Sequence, residues 1–169
     1  REVAAITADL LARYFAYELA AVFIADAAGN LTIGGFGGAS QNVVKRAMKS
    51  VEYPVIGGVT GHVFETGEGV VINDVLQDNR YTPIKGWQAG SEMCVAIREG
   101  TKILGIVDVE SSSRNAFTHN DYIALESLAG ILATVITSAD QYQRLQITIS
   151  QLRSMQVELH DRMEAQRSA

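Results

Sequence analysis

Two apolar runs in the second half of the chain, Ser91 to Ile97 (SEMCVAI) and Ile103 to Ser111 (ILGIVDVES), constrain the fold most. The short link between them, Arg98 to Lys102 with Gly100 inside it, is hairpin chemistry. Strand side chains alternate, so Met93, Val95 and Ile97 share one face while Glu92, Cys94 and Ala96 share the other. In the second run Ile103, Gly105, Val107 and Val109 oppose Leu104, Ile106, Asp108 and Glu110. Both faces are largely apolar. Such a hairpin needs a layer on each side.

The flanking segments supply candidates for those layers. Val3, Ile6, Leu10, Leu11 and Tyr14 recur at three- and four-residue spacing, the stripe of an amphipathic helix from Glu2 to about Tyr14. Leu19 to Ile24 and Leu31 to Ile33 form a first hairpin around Asp26 to Asn30. Beyond it Gly34, Gly35, Gly37 and Gly38 surround Phe36, and such glycines mark a loose strand end, a bulge or a close approach by another group. Gln41 to Ser50 is a helix capped by Ser40, packing Val43, Val44 and Ala47 and stopped at Tyr53-Pro54. Gly61 to Thr66 is a short helix closed by Gly67 in the left-handed conformation, and Val70 to Ile72 is a strand. The polar segment from Asn73 to Gly90 is longer than most connections, as functional loops often are.

Thr118 caps a last helix that carries Asp121 in its first turn, and neither proline nor glycine interrupts it after Gly130. Read as heptads, one core position takes Leu128, Val135, Tyr142, Ile149, Gln156 and Met163; the other takes Ile131, Ser138, Leu145, Leu152 and Leu159. At ~1.5 Å per residue, Thr118 to Gln166 would run ~73 Å, more than one small domain can cover. The tail therefore needs a partner helix. The simplest is a second copy, giving a parallel homodimer through Tyr142, Leu145, Ile149, Leu152 and Leu159.

At 169 residues and 47% hydrophobic content the chain can bury one sizeable core. A net charge of −5 gives no basic field for nucleic acid or anionic membranes. One cysteine rules out an internal disulfide and fits a reducing, cytoplasmic compartment. No unbroken apolar run reaches the ~18–20 residues of a membrane span. The chain opens at Arg1, which suggests a piece of a longer protein whose other segments could carry a membrane anchor.

The order of motifs resembles the GAF domain, a small-molecule-sensing module of bacterial signalling proteins. The resemblance is carried by Gly58-Val59-Thr60-Gly61-His62-Val63 with Thr66-Gly67-Glu68, by Val71-Ile72-Asn73-Asp74-Val75 and by Asp78-Asn79-Arg80-Tyr81. The two hairpin strands and Phe117 to Asp121 complete it, over about residues 1–140. It implies an α+β fold: a central antiparallel sheet of five to six strands, terminal helices on one face, and short helices and loops roofing a pocket on the other. Residues 1–140 would be the sensory domain and 141–169 a coiled-coil signalling helix leading to an output domain. The Asn-Lys-Phe-Asp-Glu-like motif of cyclic-nucleotide binders is absent. Cys94 is not placed or flanked like a bilin-attachment cysteine. The free methionine sulfoxide reductases of this fold use several cysteines, and this chain has one.

The resemblance makes Phe36, Arg80, Tyr81, Trp87, Glu92 and Cys94 candidate pocket residues. Arg80 with two aromatics could hold an anionic or planar ligand, and Tyr81 and Trp87 could equally pin the loop to the core. Cys94 reads as a small buried hydrophobe. Asp74 reads as an Asx-type turn residue. Asp108 and Glu110 share a strand face without a nucleophile beside them, and a solvated or sheet-edge place is expected. His62, His119 and His160 are too scattered for a metal site. The sequence names no cofactor, metal or catalytic residue. The implied function is a non-enzymatic sensor coupled through the helix to a histidine kinase, chemotaxis receptor, diguanylate cyclase or transcription activator. A ligand-free dimerisation module and a small redox enzyme using Cys94 are the alternatives.

Overall fold

The computed structural model describes residues 2–48 and 57–167. In chain order these form α1 (Glu2–Phe15), β1 (Leu19–Ala25), β2 (Leu31–Gly37), α2 (Gln41–Met48), α3 (Gly58–Thr66), β3 (Val70–Ile72), a 3₁₀ turn (Val75–Gln77), β4 (Ser91–Glu99), β5 (Lys102–Ser111) and α4 (His119–Arg167). The strands make one five-stranded sheet, ordered β2-β1-β5-β4-β3, with every neighbouring pair antiparallel. The β4–β5 hairpin turns more tightly than its sequence suggests, with Gly100 and Thr101 alone between the strands. The strand that closes the architecture is β1, which pairs with β5 some 80 residues later and so puts β5 at the centre of the sheet.

Local chemistry explains the element ends. Gly67 takes φ 72° at the end of α3 and donates its N–H to the Val63 carbonyl, a conformation glycine adopts without the Cβ penalty. Thr118 and Asp121 form a reciprocal cap: the Asp121 carboxylate accepts from the Thr118 N–H at 2.7 Å and its hydroxyl at 2.6 Å, and Asp121 N–H returns a bond to Thr118 Oγ1. The expected helix from Gln41 is observed to Met48 with Val44 buried, and its proposed stop at Tyr53-Pro54 lies outside the described residues.

Helix α1 docks differently from its sequence stripe. Ala4, Ala8, Leu11 and Ala12 are buried, whereas Ile6, Leu10 and Tyr14 are 54%, 44% and 82% exposed. The glycines of β2 are the cause. A Cβ on Gly35 would lie 2.3 Å from Ala5 Cα, and one on Gly37 would lie 2.0 Å from the Ala8 carbonyl oxygen. The helix backbone rests directly on the strand, so only its small-residue face fits, and larger side chains turn outward. Of the sequence alternatives for these glycines, two are realised: the close approach of α1, and a bulge at Gly34, which is skipped between the pairs Val22–Gly35 and Phe23–Ile33.

Two cores result. On the face away from α1, Leu19, Ala21, Phe23, Cys94, Ala96 and Ile106 of the sheet pack under Phe36, Val44, Val59, Val63, Val75 and Ala89. On the other face lie buried Ala20, Val22, Met93, Val95, Ile97, Val107 and Val109, while α1 and α4 contribute Ala8, Leu11, Leu125, Ala129 and Leu132.

The chain divides into two units, residues 1–133 and 134–169. In the second, Tyr142, Leu145, Leu152, Leu159 and Met163 are all exposed in the single chain, and i,i+4 pairs such as Arg144–Asp140 (2.8 Å) and Arg162–Glu158 (2.6 Å) decorate the helix. Helix α4 also contains an 18-residue window long and apolar enough, by composition, to cross a bilayer. The sequence reading misses it because polar residues break the run. Buried Leu125, Ala129, Leu132 and Ala133 give the same helix a place in the core.

Candidate functional site

The roof segment between β3 and β4 is a chain of turns tied to its neighbours. Asp74 accepts the Leu76 N–H at 3.2 Å and caps the 3₁₀ turn, the structural role its sequence position suggests. Val75 N–H reaches Gly90 O, Tyr81 N–H reaches Asp78 O, and Trp87 N–H reaches Ile84 O. Tyr81, Ile84 and Trp87 lie partly buried against the core beneath. Phe36, at the far side of the sheet in β2, is buried in that same core.

Under this roof three carboxylates meet. Strand register places Glu92 across from Glu110 and Cys94 across from Asp108, with Ala21 and Leu19 of β1 flanking on the other side. The two-residue period then puts Glu92, Asp108 and Glu110 on one face. Each is only 4% exposed, and one oxygen from each lies within 4.8 Å of the others. The expected solvated or sheet-edge place for Asp108 and Glu110 is thus corrected: β5 is a central strand, and its acids point into the core under the roof.

The hydrogen bonding of the cluster is incomplete. The Trp87 indole N–H donates to Glu110 Oε2. Glu92 Oε2 and Asp108 Oδ1 are buried with no partner. Buried acceptors are nearly always satisfied, and leaving one unpaired costs ~1–3 kcal/mol.

Electrostatics follow from that burial. Removal from water, and then the Glu110 charge, pushes the Glu92 carboxyl up to about 8. Burial and then Asp108 push Glu110 up to about 8, against the lowering effect of the Trp87 bond. Asp108 is held well above the carboxylate range by burial and then by Glu92. The same surroundings raise the Cys94 thiol, first by burial and then through the three acids, which removes the thiolate character a reactive cysteine needs. Tyr81 is raised by burial and then by Glu110 and Glu92.

Arg80 is committed elsewhere. Its guanidinium forks onto Asp78, Nε to Oδ1 at 2.9 Å and Nη2 to Oδ2 at 2.6 Å, and the hydrogen bond holds Asp78 down to about 2. An arginine whose fork is filled by a carboxylate offers little to an anionic ligand, and the floor beneath it is acidic.

Of the six sequence candidates, Glu92 and Cys94 lie in the floor, Tyr81 and Trp87 in the roof, Phe36 in the adjoining core and Arg80 in an ion pair at the roof. Asp108 and Glu110 were missed as site residues. Their signal was the alternation with Val107 and Val109, which sets both acids on the face of Glu92's strand partner. The site can take up a cation. Three carboxylates offer up to six oxygens, the ligand type that a hard divalent ion gathers. The same three acceptors can receive the three N–H donors of a primary ammonium: acceptors ~2.8 Å from one tetrahedral nitrogen stand ~4.6 Å apart, inside the 4.8 Å that bounds this group.

Comparison with known proteins agrees with this architecture. No curated protein matches the chain. Among solved structures, the free methionine-R-sulfoxide reductase from Neisseria meningitidis in complex with its substrate is similar over 82% of this chain and 78% of its own, at 22% identity and TM-score 0.68. The GAF domain of a phosphoenolpyruvate-protein phosphotransferase from Coxiella burnetii is similar over 83% and 84%, at 17% identity and TM-score 0.71. The GAF domain region of a putative membrane protein from Geobacter sulfurreducens is similar over 80% and 93%, at 22% identity and TM-score 0.61. Identities this low establish a shared fold. The sequence model of the GAF domain matches residues 1–136, most of the chain, and with the sheet and roof described above this protein belongs to the GAF domain family.

Proposed function

We propose that this is a regulatory sensor domain whose ligand is a small molecule carrying a primary ammonium group, held on Glu92, Asp108 and Glu110 beneath the roof. One observation carries the reading: three buried carboxylates converge, two of their oxygens have no partner, and the Arg80 guanidinium at the roof is occupied by Asp78. An ammonium would satisfy both open acceptors and bring charge-assisted bonds. Free methionine-R-sulfoxide, the substrate named for the Neisseria relative, is itself an amino acid with such a group.

The domain senses rather than turns over its ligand. Redox chemistry at a single thiol needs an accessible thiolate and a second thiol to resolve the product, and Cys94 is buried with its acidity suppressed. Access to the cluster requires the 73–90 segment to lift. Ligand binding then biases the population of roof-open and roof-closed states by its differential affinity, and α4 carries that bias to a paired second copy and a cytoplasmic output domain.

A thermal-shift screen of primary amines and amino acids tests this. A ligand binding only the native state adds ~2.7 kcal/mol at a hundredfold excess over its Kd. At least one primary ammonium compound should raise Tm, with its N-trimethylated analogue silent and the effect lost in Glu110→Gln. Uniform silence would favour the ligand-free dimerisation module instead.

A further inference from the structure

The charge state of the empty site follows from its geometry, given the reading above that the acid cluster is the ligand site. Two ionised carboxylates cannot hydrogen-bond to each other, because both only accept. Glu92, Asp108 and Glu110 nonetheless lie together, each 4% exposed and with one oxygen apiece inside 4.8 Å, and Glu92 Oε2 and Asp108 Oδ1 are buried with no donor to meet them. A proton between Glu92 and Asp108 would turn two facing acceptors into a donor and an acceptor.

The neighbours give that proton no competitor. From β4 the cluster sees Glu92 and Cys94, and from β5 Asp108 and Glu110. From the roof it sees the Trp87 indole, the Tyr81 hydroxyl and, farther out, Arg80 locked to Asp78, with His62 of α3 acting on Asp78. Among the described residues these are the charged and titratable groups that face it. All but Arg80 and His62 are acidic or neutral, and neither of those two is bonded to the three carboxylates. The buried cluster therefore lowers its charge in the one way left, by keeping a proton, in accord with the upward displacement of all three acids.

We propose that the empty site holds a proton between Asp108 and Glu92, and that the ligand's ammonium displaces it, so binding is an exchange of one proton for one cation. The balance is R–NH₃⁺ plus protonated site giving R–NH₃⁺·site plus H⁺, with the proton released to water and no covalent bond made or broken in the ligand. Apparent affinity then rises about tenfold per pH unit while the proton is held, and levels off once the empty cluster is ionised. The domain reads pH together with its ligand.

Two measurements on the full chain test this separately from the ligand reading. In ligand-free protein at pH 7, infrared difference spectroscopy should show a carboxylic-acid carbonyl band, since exposed carboxylates are ionised there. The band should disappear on raising the pH to 10 and be lost in Asp108→Asn, with Glu92→Gln as a second variant should the first not fold. Absence of the band at pH 7 would overturn the proposal whether or not any ligand binds. Titration calorimetry with free L-methionine as probe, in phosphate and Tris buffers at pH 6.5, should report about one proton released per ligand bound, falling toward zero at pH 9. Binding without release at pH 6.5 would also overturn it. If L-methionine does not bind, the band alone decides the proton, and the loss falls on the ligand reading.

Discussion

Raising the pH should destabilise this domain through the range where most proteins gain or hold stability. Glu92 and Glu110 move from an ordinary 4.5 to about 8 on folding. A displacement of ~3.5 units at ~1.36 kcal/mol per unit is about 5 kcal/mol for one retained proton. The three acids raise one another, so this is counted once for the cluster and not once per residue. Between pH 4.5 and 8 the folded chain binds more protons than the unfolded chain, so unfolding free energy falls as pH rises. The contribution is complete below about 4.5 and gone above about 8. Asp78, lowered to about 2, works in the opposite sense and in a separate window, losing its contribution only as pH drops toward 2. Against a typical total of ~5–15 kcal/mol, the loss is large. Urea denaturation at pH 5, 7 and 9 and constant ionic strength is the assay; with a slope of ~1–3 kcal/mol/M the midpoint should fall by about 2–5 M across the series. The double variant Glu92→Gln, Glu110→Gln should show a much flatter profile. A wild-type midpoint that stays level or rises from pH 5 to 9 would refute the reasoning.

Other predictions concern separate parts of the molecule. Gly37→Ala places a Cβ 2.0 Å from the Ala8 carbonyl oxygen and should cost ~1–3 kcal/mol or more in urea denaturation, while the Cβ added by Gly130→Ala enters open space and should stabilise α4 by up to ~1 kcal/mol. Cys94 should resist a thiol reagent in native buffer and react at once in denaturant; rapid native labelling would mean that the floor of the site is open. Truncation after residue 141 removes Tyr142, Leu145, Leu152 and Leu159, and by sedimentation equilibrium it should leave a folded domain that dimerises more weakly. Because Trp87 is the single tryptophan, ligand binding should change the protein's indole emission as the roof responds; an unaltered spectrum at saturation would show that the roof does not move.

What the sequence disclosed was mostly local. The strand at Val70–Ile72, the left-handed cap at Gly67 and the Thr118–Asp121 helix start depend on a few adjacent residues, and each appears where periodicity and capping chemistry put it. The face of α1 depended on something distant. Ile6, Leu10 and Tyr14 have the right spacing for burial, yet the glycines of β2 admit only alanines, and a hydrophobicity pattern does not register how closely two backbones approach. The site shows the same limit. Glu92 was picked out because it shares a strand with Cys94. Asp108 and Glu110 looked like solvated acids because nothing in their neighbourhood reveals that β1 pairs along β5 and carries both carboxylates to the centre of the sheet. Arg80 looked free until Asp78, two residues away, was seen to fill its fork. Long-range pairing decides which polar groups are buried together, and those groups make the site.

Recognition of a primary ammonium by the three buried acids is decided by a thermal-shift and calorimetric comparison of wild type with the triple variant Glu92→Gln, Asp108→Asn, Glu110→Gln. Removing one member of a buried charge pair costs ~2–5 kcal/mol, so any primary-amine ligand found for the wild type should lose at least thirtyfold in affinity in the folded variant. A ligand that binds both proteins equally, or a preference for anions over amines in the wild type, would contradict it.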